Sequence, residues 1–561
     1  MDILEKILIK RGLTGDARTA FLNPRYESAH DPFLLPDMQA AVDRLGEARR
    51  KQEHIMIYGD YDIDGLTATT VLLDALKSFG FRYVDAFIPN RFIEGYGMTD
   101  AAVETIAKSG ATLIITVDCG SLSEGPITRA KELGVDVIVT DHHNVAPVQP
   151  PAVAVINPKR LLQDYPESYE RFILKDDSPK KDIYPFLDLP GVGVAFKLVQ
   201  ALQTKLDGLD VGQEKWLLDL VALGTVCDIV TLVDENRTHV YWGLKVLAKT
   251  RRQGLRALMA VSGVEAEKIN ARALGFGLGP RMNAAGRLET AKYSQDMLLA
   301  TREDIALELA QKLDEMNTER RRQQDEIFKA AIEQAEVMAD DRVLVLSHPD
   351  WSHGIIGIVA AKILEKYKKP TYVLQEIGDE SKGSARSFGD FSVADAIRAS
   401  DDIITKGGGH KLAAGVTLPT QNIAAFRQRV NEFYDSCGLT DQTDLLLPTE
   451  DVVVDTFEGV NEQLIVQLAA LEPYGSANPE PIICFRHMLV ARVRKMGADS
   501  QHVKLDLQDA QNHHIEMIGF SVPQEWFVEV GQYVTVWAQL SVNEWRGRRS
   551  VEGRLLHLIG H

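Results

Sequence analysis

His54-Ile-Met-Ile-Tyr-Gly-Asp60-Tyr-Asp62-Ile-Asp64-Gly65 joins a short apolar run to three acids at alternate positions. Two further stretches share its shape, Thr112-Leu-Ile-Ile-Thr-Val-Asp118-Cys-Gly120 and Val135-Asp-Val-Ile-Val-Thr-Asp141-His142-His143. Apolar runs of this length flanked by helical patterns read as buried parallel strands. In an open α/β sheet, ligands bind in the crevice beyond the carboxyl ends of the strands. With these strands side by side, Asp60, Asp62, Asp64, Asp118, Asp141, His142 and His143 converge on one edge. Carboxylates crowded together repel one another unless a cation sits among them. The sequence therefore predicts a divalent-metal site, for two ions.

Working outward, a helix is expected over 66–79, ended by Gly80. A strand over 83–89 and helices over 100–108 and about 124–133 follow in alternation with the acid-tipped strands. That alternation is the βαβ signature of a parallel sheet. Upstream, residues 1–40 read as a helical lead-in with Asn23-Pro24 and Asp31-Pro32 turns, and a helix then runs from Met38 to about Lys51. Downstream, residues 150–190 are rich in Pro, Asp and Lys and read as an irregular crossing that holds Asn157-Pro158. Helices over 191–203 and 214–226 come next, the second ending at Gly224-Thr-Val-Cys-Asp228. Asp228 lies among apolar residues and needs a partner. It either caps a helix or pairs with an arginine, or it is a further metal ligand.

At 561 residues the chain exceeds what one core supports. An apolar fraction of 45% and a charged fraction of 25% fit ordinary globular domains. Cys119, Cys227, Cys437 and Cys484 are scattered, with no C-x-x-C spacing. This argues against a structural zinc site or a disulfide framework and suits a reducing cytoplasm. No signal peptide and no apolar run of about 18 residues is visible, so no membrane is expected among the partners. The formal net charge of −18 speaks against nucleic acid only if read globally, because binding depends on a local stripe. Arg486, Arg492, Arg494, Lys495, Arg546, Arg548 and Arg549 make the C-terminal end comparatively basic.

Five segments are expected. Residues 1–40 are the helical segment and 41–300 the metal-bearing α/β domain. Residues 301–340 form a connecting helix charged on both faces, as suits a solvent bridge between domains. Its arginine run, Arg320 to Arg322, is either a solvated face paired with glutamates or a DNA contact. Residues 341–445 are a second α/β unit holding Gly383-Ser384-Ala-Arg386-Ser387 and Gly407-Gly-Gly409-His410. Glycine clusters let backbone amides approach a phosphate, with Ser384, Arg386 and His410 as anion donors; the alternative is tight turns around a structural histidine. Residues 446–561 show short alternating strands, which suggest a small OB-like barrel. Arg492, Arg494, Lys504, Trp545 and Arg546 on one of its faces would suit a single strand, unless the barrel only stabilises its neighbours.

Gly-Asp60-Tyr-Asp62-Ile-Asp64-Gly, Val-Asp118-Cys-Gly, Asp141-His142-His143 and Gly-Thr-Val-Cys-Asp228, in this order, resemble the four motifs of the DHH phosphoesterase superfamily. Pro89-Asn-Arg91-Phe-Ile-Glu94-Gly-Tyr96-Gly, Gly279-Pro-Arg281-Met-Asn283-Ala-Ala-Gly-Arg287, His353-Gly-Ile-Ile-Gly and the segments at Arg386 and His410 extend the likeness. They narrow it to the superfamily's bacterial single-strand-specific exonucleases, over nearly the whole chain. The resemblance implies an α/β fold: a parallel-sheet DHH domain, a long helix, a smaller α/β DHHA1 domain and a C-terminal OB-like β-barrel. It implies a 5′→3′ exonuclease that degrades single-stranded DNA to mononucleotides in recombination and repair, using two Mn2+ or Mg2+ ions.

Carried over residue by residue, the implied metal ligands are Asp62, Asp64, Asp118, His142 and Asp228, with Asp60 as a further one and Asp118 between the ions. Asp118, His142 and His143 are the implied catalytic residues, His143 at the scissile phosphate. Arg91, Tyr96, Arg281, Asn283, His353, Ser384, Arg386 and His410 are the implied DNA contacts. Arg91, Ser384 and Arg386 are the candidates for a terminal 5′ phosphate, since guanidinium forks bind phosphate bidentately. Single-strand-binding protein and a helicase are the implied protein partners, and a monomer the implied state. Four positions before Asp62, where many DHH phosphoesterases place a histidine ligand, stands Tyr58, which would either loosen the first ion's shell or shift more of its load to Asp60. Cys119 reads as a buried filler. Two rivals are a DHH enzyme for short oligonucleotides or cyclic dinucleotides, which lacks the terminal barrel, and a non-catalytic replication scaffold, which loses the acids kept here.

Overall fold

The runs that end at Gly59, Val117 and Thr140 are adjacent parallel strands in the computed structural model, which describes residues 2–95, 97–166, 183–440, 442–545 and 547–561. Tyr96, Arg546 and part of the 150–190 crossing lie outside the described residues, as does the side chain of Trp545. Strand β1 (His54–Gly59) lies between β2 (Tyr83–Phe87) and β3 (Leu113–Val117), and β4 (Asp136–Thr140) follows β3. A fifth strand, β5 (Ala154–Ile156), completes the parallel order β2-β1-β3-β4-β5. Alternate residues feed two apolar layers. Ile55, Ile57, Ile115 and Val117 point to one, and Met56, Tyr58, Ile114 and Val139 to the other. Burial on both faces is why the strands are apolar runs without a polar alternation. β5 interrupts the stretch expected to be irregular. Three residues bounded by prolines and a turn carry no periodic signal.

The connecting helix runs Glu303–Val337 and, contrary to the expectation of two charged faces, buries one stripe. Ala306, Ala310 and Leu313 pack on the first domain; Ile327, Ala331 and Ala335 pack on Leu344, Trp351 and Val359 of the second. The stripe was hidden because its middle is polar. Buried Arg320 donates to Asn317 Oδ1 at 2.7 Å and to Gln324 Oε1 at 2.8 Å. Arg322, by contrast, is exposed and pairs with Glu319 and Glu326, each at 2.6 Å.

The second sheet has the order β6-β7-β8-β10-β9, with β6 (Leu344–His348), β7 (Thr371–Ile377), β8 (Glu380–Arg386), β9 (Lys406–Gly409) and β10 (Ala413–Pro419). Only the β6–β7 pair is parallel. After β11 (Val452–Val454), a barrel is built from β12 (Ile483–Met496), β13 (His502–Gln508), β14 (His514–Gly519), β15 (Tyr533–Trp545) and β16 (Arg548–Gly560). It closes where β15 pairs with β12.

The N-terminal segment docks on this far end of the chain. Ile7 and Leu8 of the helix Ile3–Lys10 enter the barrel-domain core, and Arg11 pairs with Asp451 at 2.7 Å. Buried Arg237 joins three segments, donating to the carbonyls of Phe21, Leu471, Pro473 and Glu472. The expected basic face of the barrel is thinner than its sequence suggested. Lys504 is held by Glu516 at 2.8 Å and Glu552 at 3.2 Å, while Arg492 and Arg494 stay exposed. Among the described residues no helix is long and apolar enough to cross a membrane.

Candidate metal centre and phosphate cleft

Each acidic side chain is delivered by the end of a strand or the start of a helix. Asp60 follows β1, and Asp62 N-caps the helix Ile63–Ser78, its carboxylate accepting from Gly65 N at 3.1 Å. Asp64 is buried in the first turn of that helix. It accepts from Gly191 N at 2.6 Å and Val192 N at 2.8 Å, the amide-rich start of the helix Gly191–Gln203. Asp118 follows β3 with φ 62, a left-handed conformation that costs a non-glycine residue about 1–3 kcal/mol. Gly191 makes room for it, since a Cβ there would stand 2.6 Å from Asp118 Cβ. Asp228 caps the helix Leu218–Cys227, as one sequence alternative had it, and its side chain turns to the same point as the others.

The side chains meet. His142 Nε2 lies 3.0 Å from Asp118 Oδ1, 3.7 Å from Asp228 Oδ2 and 3.8 Å from Asp64 Oδ2. Potential ligand atoms cluster within 4.8 Å in three groups: Asp60, Asp62 and Asp118; Asp118, His142 and His143; and Asp64, His142 and Asp228. Tyr58 does not join them. It is buried in the opposite layer, stacked on Phe87 at 5.3 Å, with its hydroxyl donating to Gly97 O at 2.9 Å. Cys119 is likewise buried in that layer.

The electrostatics favour a cation. Burial and neighbouring acids push Asp64 up to about 7, Asp60 to about 8 and Asp228 to about 9, and hold Asp118 well above the carboxylate range. Burial pushes His142 down to about 3, leaving a neutral imidazole. Asp60 Oδ1, Asp118 Oδ1 and His142 Nε2 are buried without a hydrogen bond. Unpaired oxygens with a neutral imidazole nitrogen fit Mn2+ or Mg2+, the nitrogen favouring Mn2+.

The sequence reading gave Asp141 no separate role, yet it organises the third motif. Its carboxylate accepts from Ser121 N, His142 N and His143 N, and lies 2.9 Å from His143 Nδ1. Although burial opposes both shifts, this contact holds Asp141 below the carboxylate range and His143 above the usual imidazole value.

Beside the acids lies a cationic cleft. Arg386 on β8 donates to Ser384 Oγ at 3.2 Å, next to the start of the helix Ile356–Tyr367. Gly357 is needed there, since a Cβ would approach Ser384 Oγ to 2.9 Å. Arg91 lies over the Tyr61 ring at 4.3 Å with its Nε buried and without a partner. Arg287 donates to Gly354 O at 3.0 Å across the domain boundary, and burial with the charges of Arg91, Arg320 and Arg386 pushes it down to about 10. Among the described residues, none of these four guanidiniums has a carboxylate partner within salt-bridge distance. His353 sits at the same boundary, its ring against Phe92 at 5.0 Å and its Nδ1 3.0 Å from Gln375 Oε1. His410 is on an exposed turn near Arg386, which pairs with Ala413 across the β8–β10 ladder.

Arg281 and Asn283 are the remaining expected DNA contacts. Arg281 is held by Asp314 at 2.7 Å and by Gly277 O at 2.6 Å, so it braces the connecting helix. Asn283 lines a cavity of about 700 Å³ between the first domain and the barrel, together with Arg287, Arg320, Phe276 and Tyr474. Arg287 was inside a quoted motif and Arg320 in the arginine run, but single positions do not reveal convergence across domains.

Residues 54–225 match the DHH family N-terminal domain, 340–436 the DHHA1 domain and 451–557 the RecJ OB domain. The single-stranded-DNA-specific exonuclease RecJ of Bacillus subtilis is 36% identical over 98% of this chain and 66% of its own length. That of Dickeya dadantii is 35% identical over 94% of this chain and 91% of its own. The crystal structure of Thermus thermophilus RecJ with Mn2+ matches at TM-score 0.81 and 28% identity, over 99% of this chain and 75% of that one; the same enzyme with Mg2+ matches at 0.75 and 27%, over 99% and 74%. The chain belongs to the RecJ family of exonucleases.

Metal and protons compete for this centre. The carboxyl values are raised on folding, so without metal the folded chain keeps extra protons from about pH 4 upward. The stability these protons confer is full below the unfolded carboxylate value of about 4 and is lost as pH rises through about 7 to 9. Binding a cation releases those protons. Added Mn2+ is therefore expected to raise the melting temperature more at pH 9 than at pH 6, relative to chelator-treated protein. An equal or smaller gain at pH 9 would contradict the assignment.

Proposed function

We propose that this chain removes mononucleotides one at a time from the 5′ end of single-stranded DNA, and so serves recombination and repair. The observation that carries this reading is the adjacency of a buried acid–imidazole cluster to four guanidiniums that have no carboxylate partner among the described residues. Such a pair of opposite sites suits a phosphodiester whose two neighbouring phosphates have different fates. Asp60, Asp62, Asp64, Asp118, His142 and Asp228 are the residues that would hold two divalent ions, Asp118 and His142 each belonging to two of the three ligand groups. When bound, such ions activate a water and stabilise the leaving oxygen.

The chain's own residues do the rest. His143, oriented by Asp141, donates a charge-assisted hydrogen bond to the scissile phosphate. Arg386, Ser384 and Arg91 take the terminal 5′ phosphate, with Arg287 beside them. The span from that seat to the acids then meters one nucleotide, which gives polarity. Tyr96 and half-buried Phe388 are the proposed stacking partners for bases. Single-strand-binding protein, a helicase and a monomeric state belong to the same reading. The barrel disfavours the short-oligonucleotide rival, and the complete acid set disfavours the scaffold.

The test uses single strands labelled at either end, with Mn2+, Mg2+ or chelator. A 5′ label is expected to appear at once as mononucleotide, and a 3′ label as a shrinking ladder. The reverse pattern would overturn the polarity, and turnover in chelator would overturn the metal centre.

A further inference from the structure

Asn157-Pro158-Lys159 leaves β5 at the level where Asp141-His142-His143 leaves β4. Thr140 pairs with Ile156, and Asp141 N donates to Ile156 O at 3.0 Å. Asn157 fastens the two strand ends together. Its Nδ2 donates to His143 O at 2.9 Å and to Ser121 Oγ at 2.8 Å, while its Oδ1 accepts from Lys159 N at 2.9 Å. The turn Pro158–Arg160 is thus tied to the catalytic histidine strand end.

The next residue, Arg160, is spent on Asp37 at 2.5 Å and Asp164 at 3.3 Å. Lys159, a half-buried residue, makes no side-chain hydrogen bond or ion pair with a described residue. Its charge lies within electrostatic reach of Asp228 and His142. Arg91 follows the edge strand β2, whereas Lys159 follows the opposite edge strand β5. A cation with no partner among the described residues therefore flanks the acids on the side away from the Arg91 end of the sheet.

We infer that Lys159 is a further catalytic residue, whose ammonium donates to a non-bridging oxygen of the scissile phosphate. This rests on the exonuclease reading. In the step, the oxygen of water bonds to phosphorus as the bond from phosphorus to the 3′ oxygen breaks. One water proton passes to solvent and the departing 3′ oxygen takes one up, leaving a mononucleotide with a 3′ hydroxyl and a strand with a new 5′ phosphate. Lys159 keeps its proton throughout and matches the charge on the transferred phosphoryl group. A compact ammonium on a flexible stem suits a point contact of this kind.

The test compares full-length wild type, Lys159→Met and Lys159→Arg on a 5′-phosphorylated single strand at saturating Mn2+. Lys159→Met is expected to lower kcat roughly tenfold or more, the range for a lost hydrogen bond to a charged group. KM, melting temperature and the half-saturating Mn2+ concentration should hold, and Lys159→Arg should restore most of the rate. Wild-type kcat in Lys159→Met, or a loss reversed by excess Mn2+, would overturn the inference, the second by reducing the lysine to a charge balance for the ligands. A wild-type protein that leaves the strand intact would overturn the exonuclease reading instead.

Discussion

Asp118→Asn is expected to lower kcat for strand degradation by about 10³-fold or more while raising the melting temperature of the metal-free protein. The two effects have one cause. Asp118 Oδ1 is buried without a hydrogen bond, and the side chain contributes to two of the three ligand groups. Burial and the charges of Asp64, Asp62, Asp60 and Asp228 all disfavour its ionised form. Its backbone is held at φ 62, a conformation asparagine tolerates about as well as aspartate. The substitution therefore keeps shape and backbone while removing a carboxyl that folding forces either to take up a proton or to bear a repelled charge, and with it an anionic ligand. Strain and repulsion kept at one residue are the mark of a site that trades stability for chemistry. Single-turnover cleavage with Mn2+, melting in chelator and strand binding by fluorescence anisotropy check the three parts. Binding should stay measurable. Retained turnover would remove Asp118 from the centre, and a lower melting temperature would show that repulsion is not the dominant cost.

What was legible in the sequence followed from period and termination. Strands β1, β3 and β4 are apolar runs with acids at their ends, so both the parallel sheet and the convergence of Asp60, Asp62, Asp64, Asp118 and His142 could be read before any coordinates. Asp228 was ambiguous because a helix cap and a ligand share the same local sequence, and in the structure it caps the helix while its side chain gathers with Asp64 and His142. What escaped depends on distant partners. Arg287 and Arg320 acquire meaning only where the connecting helix brings two domains together, and the buried polar insert at Asn317, Arg320 and Gln324 masks the helix's own stripe. β5 is too short to announce itself, so the turn that carries Lys159 was read as part of a crossing. Ile7 and Leu8 look like an ordinary amphipathic face, and nothing local says that they serve a barrel more than 440 residues away.

Arg386→Ala is expected to cut the preference for 5′-phosphorylated over 5′-hydroxyl ends on the order of 100-fold, because a bidentate fork makes two charge-assisted hydrogen bonds. The side chain is already poised. Its guanidinium is positioned by Ser384 Oγ and Ala385 O, and Gly357 leaves the space around it open. Burial lowers its affinity for its own proton, and burial with the charges of Arg91, Arg320 and Arg386 pushes Arg287 nearby down to about 10, a repulsion that an anion joining them would relieve. A dianionic terminal phosphate relieves that repulsion far more than an internal monoanionic diester, which is why the preference should be for the end of the strand and not for its length. Initial rates on matched 5′-phosphate and 5′-hydroxyl strands give the ratio directly. If wild type and Arg386→Ala show the same ratio, the end is sensed elsewhere; if both substrates slow equally, Arg386 holds the strand in general. Arg386→Lys separates charge from geometry, since an ammonium keeps the charge without the fork and should recover only part of the ratio.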